Sequence, residues 1–236
     1  MFDALFTTTT EYKKLSHALS GKGACALFGL PASGRAQVYA ALCRQLDKPL
    51  CIVTPGEAEA TRFAADLNTL GIPAAVFPAR DYVLRPIEGT AREYEYRRLA
   101  VLGELVGGRL RAVAVPAEAL TQFTTPKEDF CANTRTLHAG DTLLRDDLLA
   151  ALFGAGYTRR AQVDGPGQFS VRGDIVDIFA PDQKMPVRME FWGDEIDTLH
   201  TFDLTTQRRE DAIDKFYLSP AREVLFGKPA DAAEQL

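Results

Sequence analysis

The sequence is poor in the residues that build metal sites and disulfide frameworks. Its 236 residues include four Cys and three His, and no two Cys form a C-x-x-C pair. Structural zinc sites place Cys and His ligands in close pairs along the chain, and disulfide-stapled folds need many cysteines. We therefore predict no metal site, and four free thiols of the kind found in the reducing cytoplasm.

Long apolar runs and a secretion signal are also missing. No stretch approaches the roughly 18 to 20 apolar residues that a membrane span requires. The first residues lack the basic segment that precedes the apolar part of a signal peptide. These absences predict a cytoplasmic chain without a membrane partner. Apolar residues make up 46% of the chain, which is enough for a substantial core.

The chain has no excess of positive charge. Its net charge is −5, and the whole excess lies in residues 133–213, which contain nine Lys and Arg against 14 Asp and Glu. Proteins that bind nucleic acids without sequence preference set clustered Lys and Arg against the phosphates. The charge distribution therefore argues against a general nucleic-acid platform.

The first motif is a phosphate-binding loop without its two chemical side chains. Gly29 and Gly34 keep the G-x-x-x-x-G spacing. A working loop continues with Lys, which reaches the β- and γ-phosphates, and with Ser or Thr, which holds Mg²⁺. Arg35 and Ala36 occupy these positions here, and alanine cannot ligate a metal ion. We predict neither nucleotide binding nor catalysis at this loop. The alternative is that backbone N–H groups and the helix dipole alone still bind a nucleotide.

Strands and helices alternate through the first half of the chain. Short apolar runs predict strands, and apolar residues spaced by three to four predict helices. Such alternation is typical of a parallel sheet covered by helices. The predicted strands are residues 24–28, 50–53, 74–77 and 111–115, and the predicted helices are residues 34–46, 54–70 and 90–105.

The pattern changes after about residue 125. Closely spaced strands joined by short polar loops, which are typical of antiparallel sheets, follow a single helix. The second half is therefore predicted as an α+β module rich in antiparallel strands. The predicted helix is residues 146–153, the strands are 168–171, 175–179, 187–192 and 196–202, and a hairpin loop is expected at 180–186.

The strand at residues 187–192 carries different residues on its two faces. Successive side chains of a strand point to opposite sides of the sheet. One face is uniformly apolar and is predicted to lie in the core, with Val187, Met189 and Phe191. The other face carries Arg188, Glu190 and Trp192, the only tryptophan of the chain.

Two interpretations fit the polar face of this strand. A Trp, an Arg and a charged rim are typical of hot spots in protein interfaces, and Arg172 on the neighbouring strand would add a second cation. In this interpretation the indole and both guanidinium groups project outward. Alternatively, Arg188 and Glu190 form a solvated cross-strand pair and Trp192 is covered by another part of the chain. The residue pattern alone leaves both interpretations open.

Four segments of the second half resemble a known family. Residues 156–163, 167–179, 186–196 and 202–208 are similar to the UvrA-binding module that the repair helicase UvrB shares with the bacterial transcription-repair coupling factors, the Mfd family. The resemblance extends to the order of the whole chain. It implies a degenerate P-loop domain of the RecA or helicase type at 1–132, the UvrA-binding module at 133–213, and the start of a return segment at 214–236.

Two departures from UvrB favour the coupling-factor family. UvrB has an intact Lys-Thr phosphate loop and a tyrosine-rich hairpin that clamps damaged DNA. Arg35 and Ala36 stand in place of the first, and residues 79–89 contain one Tyr and are too short for the second. The alternative is a UvrB-like paralogue with residual nucleotide or DNA binding.

The resemblance implies a protein that recruits UvrA and is not itself a catalyst. No catalytic residue and no cofactor are implied for this part of the family's proteins. ATP and Mg²⁺ belong to a separate carboxy-terminal translocase, and RNA polymerase and DNA bind through other parts. The implied UvrA contacts are Arg172, Arg188, Trp192 and Glu190, with Arg159 and Arg160 as further candidates.

Overall fold

The computed structural model describes residues 7–21, 24–46, 48–80 and 91–223, which form two compact units. One unit is formed by Met1–Ala79 and Gly107–Gln122, and the other by Arg80–Val106 and Phe123–Leu236. The described helices are α1 (Thr10–Ser20), α2 (Ala32–Gln45), α3 (Glu57–Thr69), α4 (Ala91–Val106), α5 (Ala117–Leu120), α6 (Lys127–Ala132) and α7 (Arg145–Gly154). The strands are β1 (Leu50–Thr54), β2 (Ala74–Val76), β3 (Ala112–Pro116), β4 (Arg135–His138), β5 (Thr158–Arg159), β6 (Gln168–Arg172), β7 (Ile175–Phe179), β8 (Val187–Trp192), β9 (Glu195–Phe202), β10 (Arg209–Ala212) and β11 (Lys215–Leu218). Among the described residues, no helix is long and apolar enough to cross a membrane.

The first unit is built around a three-stranded parallel sheet in the order β1-β3-β2. The central strand β3 is buried along its whole length, as expected for a strand with neighbours on both edges. Phe63 and Leu67 of α3 pack with Ile52 of β1 and with Ala112 and Ala114 of β3. The predicted parallel sheet is confirmed, and its RecA-like type stays a prediction.

Residues 24–28 form no strand, so that prediction is wrong. The described segment is exposed along its length, and Phe28 is 88% exposed. Its apolar composition predicted burial, but a buried parallel strand also needs a hydrogen-bonding neighbour and cover on both faces. The following residue Leu30 instead packs against the cluster that contains Val38 and Leu42 of α2. This packing contact, and not a strand, precedes the helix α2.

The second unit contains a six-stranded sheet in the order β10-β9-β8-β7-β6-β5. Every pairing is antiparallel except the short parallel pairing of β5 with β6. Leu148 and Leu152 of α7 pack in one core with Phe169, Ile178 and Met189 of the sheet. We call this side of the sheet the inner face and the opposite side the outer face. The predicted helix, strands and hairpin loop are therefore confirmed.

The return segment is part of the second unit. β11 pairs antiparallel with β4, and Phe216 and Leu218 of β11 are buried in the same core as α7. The helix α4 and residues 123–132 belong to this unit as well. The units thus divide the chain differently from the predicted ranges 1–132, 133–213 and 214–236, because pairings between distant segments hold each unit together.

A buried ion pair joins α4 to the end of the described chain. Arg98 and Glu223 are both 0% exposed, and Arg98 Nε lies 2.9 Å from each carboxylate oxygen of Glu223. Arg80 Nε donates to the same carboxylate at 2.9 Å. The Thr125 hydroxyl donates to the Glu223 carbonyl, and the Glu223 N–H donates to Glu95 Oε1 at 2.8 Å. These partners offset the free-energy cost of removing the charges from water.

We expect Arg98→Ala to lower the free energy of unfolding by about 3–5 kcal/mol, because it removes one partner of a buried ion pair. Arg97→Ala on the same helix is the control, since Arg97 is exposed and its removal should change stability by about 0.5 kcal/mol or less. Urea unfolding of the two variants measures the difference. Equal stability would contradict a supporting role for the buried pair.

Candidate interaction surface

Strand β8 divides its side chains between the two faces of the sheet as its sequence predicts. The inner-face side chains of Val187, Met189 and Phe191 are buried in the core with α7. The side chains of Arg188, Glu190 and Trp192 alternate with them and therefore lie on the outer face. The predicted apolar face is confirmed.

Arg188 is bound to a buried carboxylate at the centre of the outer face. Antiparallel pairing of β7 and β8 places Asp177 opposite Arg188. Arg188 Nε donates to Asp177 Oδ1 at 2.7 Å, and Nη2 donates to Oδ2 at 2.9 Å. Nη1 donates to the Gln207 carbonyl at 3.1 Å, and the guanidinium lies 4.8 Å from the centre of the Phe202 ring. The hydrogen bonds with Asp177 raise the pKa of Arg188.

Arg188 lies on the outer face as predicted, but the expectation that its guanidinium reaches solvent there is wrong. Both Arg188 and Asp177 are buried, so Arg188 faces a carboxylate of its own chain. The reason is the strand register, which brings an acid of one strand opposite a base of the next. Asp177 was not among the predicted site residues. Its signal in the sequence is a single charge inside the apolar strand β7.

Arg172 binds the same carboxylate and still reaches solvent. Its Nη2 donates to Asp177 Oδ2 at 2.6 Å, and its side chain is 47% exposed. Arg172 ends β6 and is followed by Gly173, whose φ of 60° lies in the left-handed region that favours glycine. The tight turn places Arg172 at the rim of the outer face.

Trp192 is the most exposed large apolar residue of the sheet. It ends β8, directly before the turn at Gly193, and it is 82% exposed. Tryptophan is usually mostly buried in a folded protein. Because Arg172 and Trp192 both extend into solvent, they are the predicted site residues that a partner could contact directly.

Glu190 is paired within the sheet. One carboxylate oxygen accepts a hydrogen bond from Arg209 Nη2, and the other accepts one from the Thr198 hydroxyl at 3.3 Å. Arg159 and Arg160 are exposed, but they lie at and beside the edge strand β5, three strands away from β8. The structure therefore brings Arg172, Arg188 and Glu190 together on the outer face. Arg159 and Arg160 lie at the edge of the sheet.

Three buried polar atoms around Asp177 and Arg188 have no hydrogen-bond partner among the described residues. They are Ser170 Oγ, whose residue lies opposite Asp177, His200 Nδ1, whose residue lies opposite Arg188, and Oε1 of Gln207, whose carbonyl accepts from Arg188. Buried polar atoms without partners are uncommon in folded proteins. These polar groups surround the ion pair on the outer face, whereas the inner face forms an apolar core.

The loop with phosphate-loop spacing lies in the first unit, and its helix begins before the second glycine of the motif. Gly29 has a φ of 81°, and α2 begins at Ala32. The backbone N–H groups of Gly34 and Arg35 both donate to the Pro31 carbonyl, at 3.0 and 3.2 Å, so they are engaged within the helix. These two N–H groups are therefore not available to a phosphate.

The side chains at the two chemical positions of this loop have local partners. Ala36 is buried, and the Arg35 guanidinium lies 4.0 Å from the Glu59 carboxylate. Neither position offers a metal ligand. In the part of the chain that the structure describes, no group of three or more His, Cys, Asp or Glu could hold a metal ion. Of the segment 79–89, which is predicted to be too short for a UvrB-type hairpin, residues 81–89 lie outside the described residues.

Comparison with known proteins identifies relatives for the second unit and for most of the chain. Residues 136–224 match the family described as the UvrB interaction domain. The transcription-repair-coupling factor of Bacillus subtilis is 28% identical over 89% of this chain and 18% of its own length. That of Mycobacterium bovis is 38% identical over 78% of this chain and 15% of its own length. UvrABC system protein B of Chlorobium limicola is 28% identical over 86% of this chain and 32% of its own length.

These matches confirm the resemblance to the transcription-repair coupling factors. The chain spans between 15% and 18% of the length of the coupling factors that it matches. The family match begins at the second residue of β4 and runs through β11, and it includes every strand of the six-stranded sheet. Arg172, Asp177, Arg188 and Trp192 therefore all lie within the segment that matches the UvrB interaction domain.

We expect the fluorescence of the chain to report an exposed indole, because Trp192 is its only tryptophan. The emission maximum should match that of tryptophan in water, and acrylamide should quench it nearly as well as it quenches free N-acetyltryptophanamide. Emission at shorter wavelength that is protected from acrylamide would contradict the exposed position of Trp192.

Proposed function

We propose that this chain, which is similar to transcription-repair-coupling factors, recruits UvrA through the outer face of its six-stranded sheet. The observation that carries the proposal is the exposed indole of Trp192 on the same face as the half-exposed guanidinium of Arg172. Both residues lie in the segment that matches the UvrB interaction domain. Exposed Trp and Arg side chains are the residue types most enriched at binding hot spots.

The two residues would contribute in different ways. The indole would gain free energy by leaving water, since burying a large aromatic side chain removes 150–250 Å² or so of surface from solvent. Arg172 would form charge-assisted hydrogen bonds with an acidic side chain of UvrA. Arg188 and Glu190 are paired inside the sheet, so they would support the surface and not contact the partner directly.

The chain itself would bind and not catalyse. In this proposal the loop at Gly29 and Gly34 holds no nucleotide, and the chain needs no cofactor. Stalled RNA polymerase and DNA would be engaged by other parts of a longer protein, and ATP and Mg²⁺ by a separate translocase part, as the resemblance implies. The chain spans 15–18% of the length of these coupling factors, which is the size expected for one region of a longer protein.

Replacement of either exposed residue should weaken UvrA binding. We expect Trp192→Ala and Arg172→Glu each to raise the dissociation constant at least tenfold, because truncation of a hot-spot residue commonly costs about 2 kcal/mol or more. Binding is measured by titration of purified UvrA with the whole chain. Folding should be unaffected in Trp192→Ala, which circular dichroism and thermal unfolding check.

Two control variants match these changes away from the outer face. Lys184→Glu reverses an exposed charge in the loop between β7 and β8, and Phe123→Ala removes an exposed aromatic side chain outside the sheet. Both should bind UvrA within about twofold of the unchanged chain. Unchanged affinity for both Trp192→Ala and Arg172→Glu would overturn the proposed surface.

The loop in the first unit gives an independent test against the UvrB-like alternative. We expect isothermal titration with Mg-ATP to show no binding at micromolar concentrations, because Arg35 and Ala36 replace the Lys and the Mg²⁺ ligand of a working loop. The engaged N–H groups of Gly34 and Arg35 support the same expectation. Micromolar binding that Gly34→Val abolishes would favour a chain with residual nucleotide binding.

A further inference from the structure

We infer that Asp177 and Arg188 form a buried platform that positions Arg172 for a carboxylate of the partner. The inference rests on the proposed function and assigns a role to Asp177, which does not itself reach the surface. In this arrangement Asp177 and Arg188 are positioning residues, and Arg172 is the contact residue.

The first step concerns what holds the Asp177 carboxylate in place. Arg188 binds both of its oxygens, at 2.7 and 2.9 Å, through Nε and Nη2. A two-point bond of this kind fixes the plane of the carboxylate as well as its position. Asp177 is 1% exposed, so water competes little for these bonds. The oxygen Oδ2 therefore lies at a defined place beneath the surface.

The second step concerns the donors that remain for a partner. Arg188 uses Nε, Nη1 and Nη2 in the bonds to Asp177 and to the Gln207 carbonyl, and the Phe202 ring lies beneath its guanidinium. Arg172 is bound to Asp177 through Nη2, and its side chain extends into solvent. A guanidinium has five N–H donors in a fixed plane. The bond to Asp177 therefore holds one end of the Arg172 guanidinium, and its other donors have no partner among the described residues.

The third step concerns the chemistry of the partner group. Two guanidinium groups share one carboxylate, so Arg172, Asp177 and Arg188 together keep one positive charge. A planar carboxylate matches the two-pronged geometry of the exposed part of Arg172. Without Asp177 the long Arg172 side chain would sample many rotamers, and binding would have to order it. We expect this loss of preorganisation to weaken binding roughly threefold to tenfold.

The test is Asp177→Asn, which keeps the shape of the side chain and removes its charge. Simple charge attraction predicts tighter binding of an acidic partner, because the variant makes the surface more positive. Positioning predicts the opposite sign, a dissociation constant for UvrA that rises about threefold to tenfold. Asp174→Asn removes an exposed charge two residues from Arg172 and is the matched control. It should leave the affinity equal to, or tighter than, that of the unchanged chain.

A double-mutant cycle separates positioning from general damage. If Asp177 acts through Arg172, then Asp177→Asn combined with Arg172→Ala should bind UvrA within about twofold of Arg172→Ala alone. An equal weakening by Asp177→Asn in the presence and absence of Arg172 would overturn the inference. So would unchanged or tighter binding by Asp177→Asn in the unchanged background.

A second variant decides the question without touching the buried charge. Arg172→Lys keeps the positive charge but replaces the planar guanidinium by a single ammonium group. This group cannot bind Asp177 on one side and form a two-point bond with a partner carboxylate on the other. We expect at least a fivefold loss of affinity, and binding equal to that of the unchanged chain would contradict the inference even if Asp177→Asn does not fold.

If Arg172→Ala and Trp192→Ala both bind normally, the proposed function fails. If they bind weakly and Asp177→Asn and Arg172→Lys bind normally, only the positioning role fails.

Discussion

The burial of the Asp177 carboxylate determines how the outer face of the six-stranded sheet is arranged. A carboxylate that has left water is stable in a protein only where cations or donors surround it. The pairing of β7 with β8 supplies Arg188 directly opposite, and Arg172 approaches the same oxygen from the rim. Two arginines that look equivalent in the sequence therefore have different positions, one beneath the surface and one at it.

Local patterns in the sequence predicted the elements that depend on neighbouring residues. The alternation along residues 187–192 placed Val187 and Met189 in the core, and the turn-forming residues 180–186 placed a hairpin between β7 and β8. These features depend on the spacing of side chains along a single strand or helix, which the sequence displays directly. The same spacing placed Arg188 on the outer face, but it contained no information on the residue opposite.

Features that depend on distant residues could not be predicted in this way. Arg98 and Glu223 are 125 positions apart, and neither has a neighbour in the sequence that indicates a buried partner. The pairing of β4 with β11 likewise joins the predicted return segment to the module. At residues 24–28 a strand was predicted that does not form. The apolar run predicted it, but an apolar run does not determine whether a neighbouring strand is available for pairing. In each case the deciding quantity is tertiary contact, which outweighs local propensity.

The charge of the second half has different consequences for different partners. Exposed charges separated by more than about 8–10 Å are largely screened at physiological ionic strength. A nucleic acid presents phosphates over a long stretch and therefore responds to the net charge of the whole module, which is −5 for residues 133–213. A single carboxylate in contact with Arg172 responds mainly to the nearest groups, which are Arg172, Asp177 and Arg188 with one net positive charge. The net negative charge of a domain can therefore repel nucleic acid while a local positive site on the same domain binds an acidic protein surface.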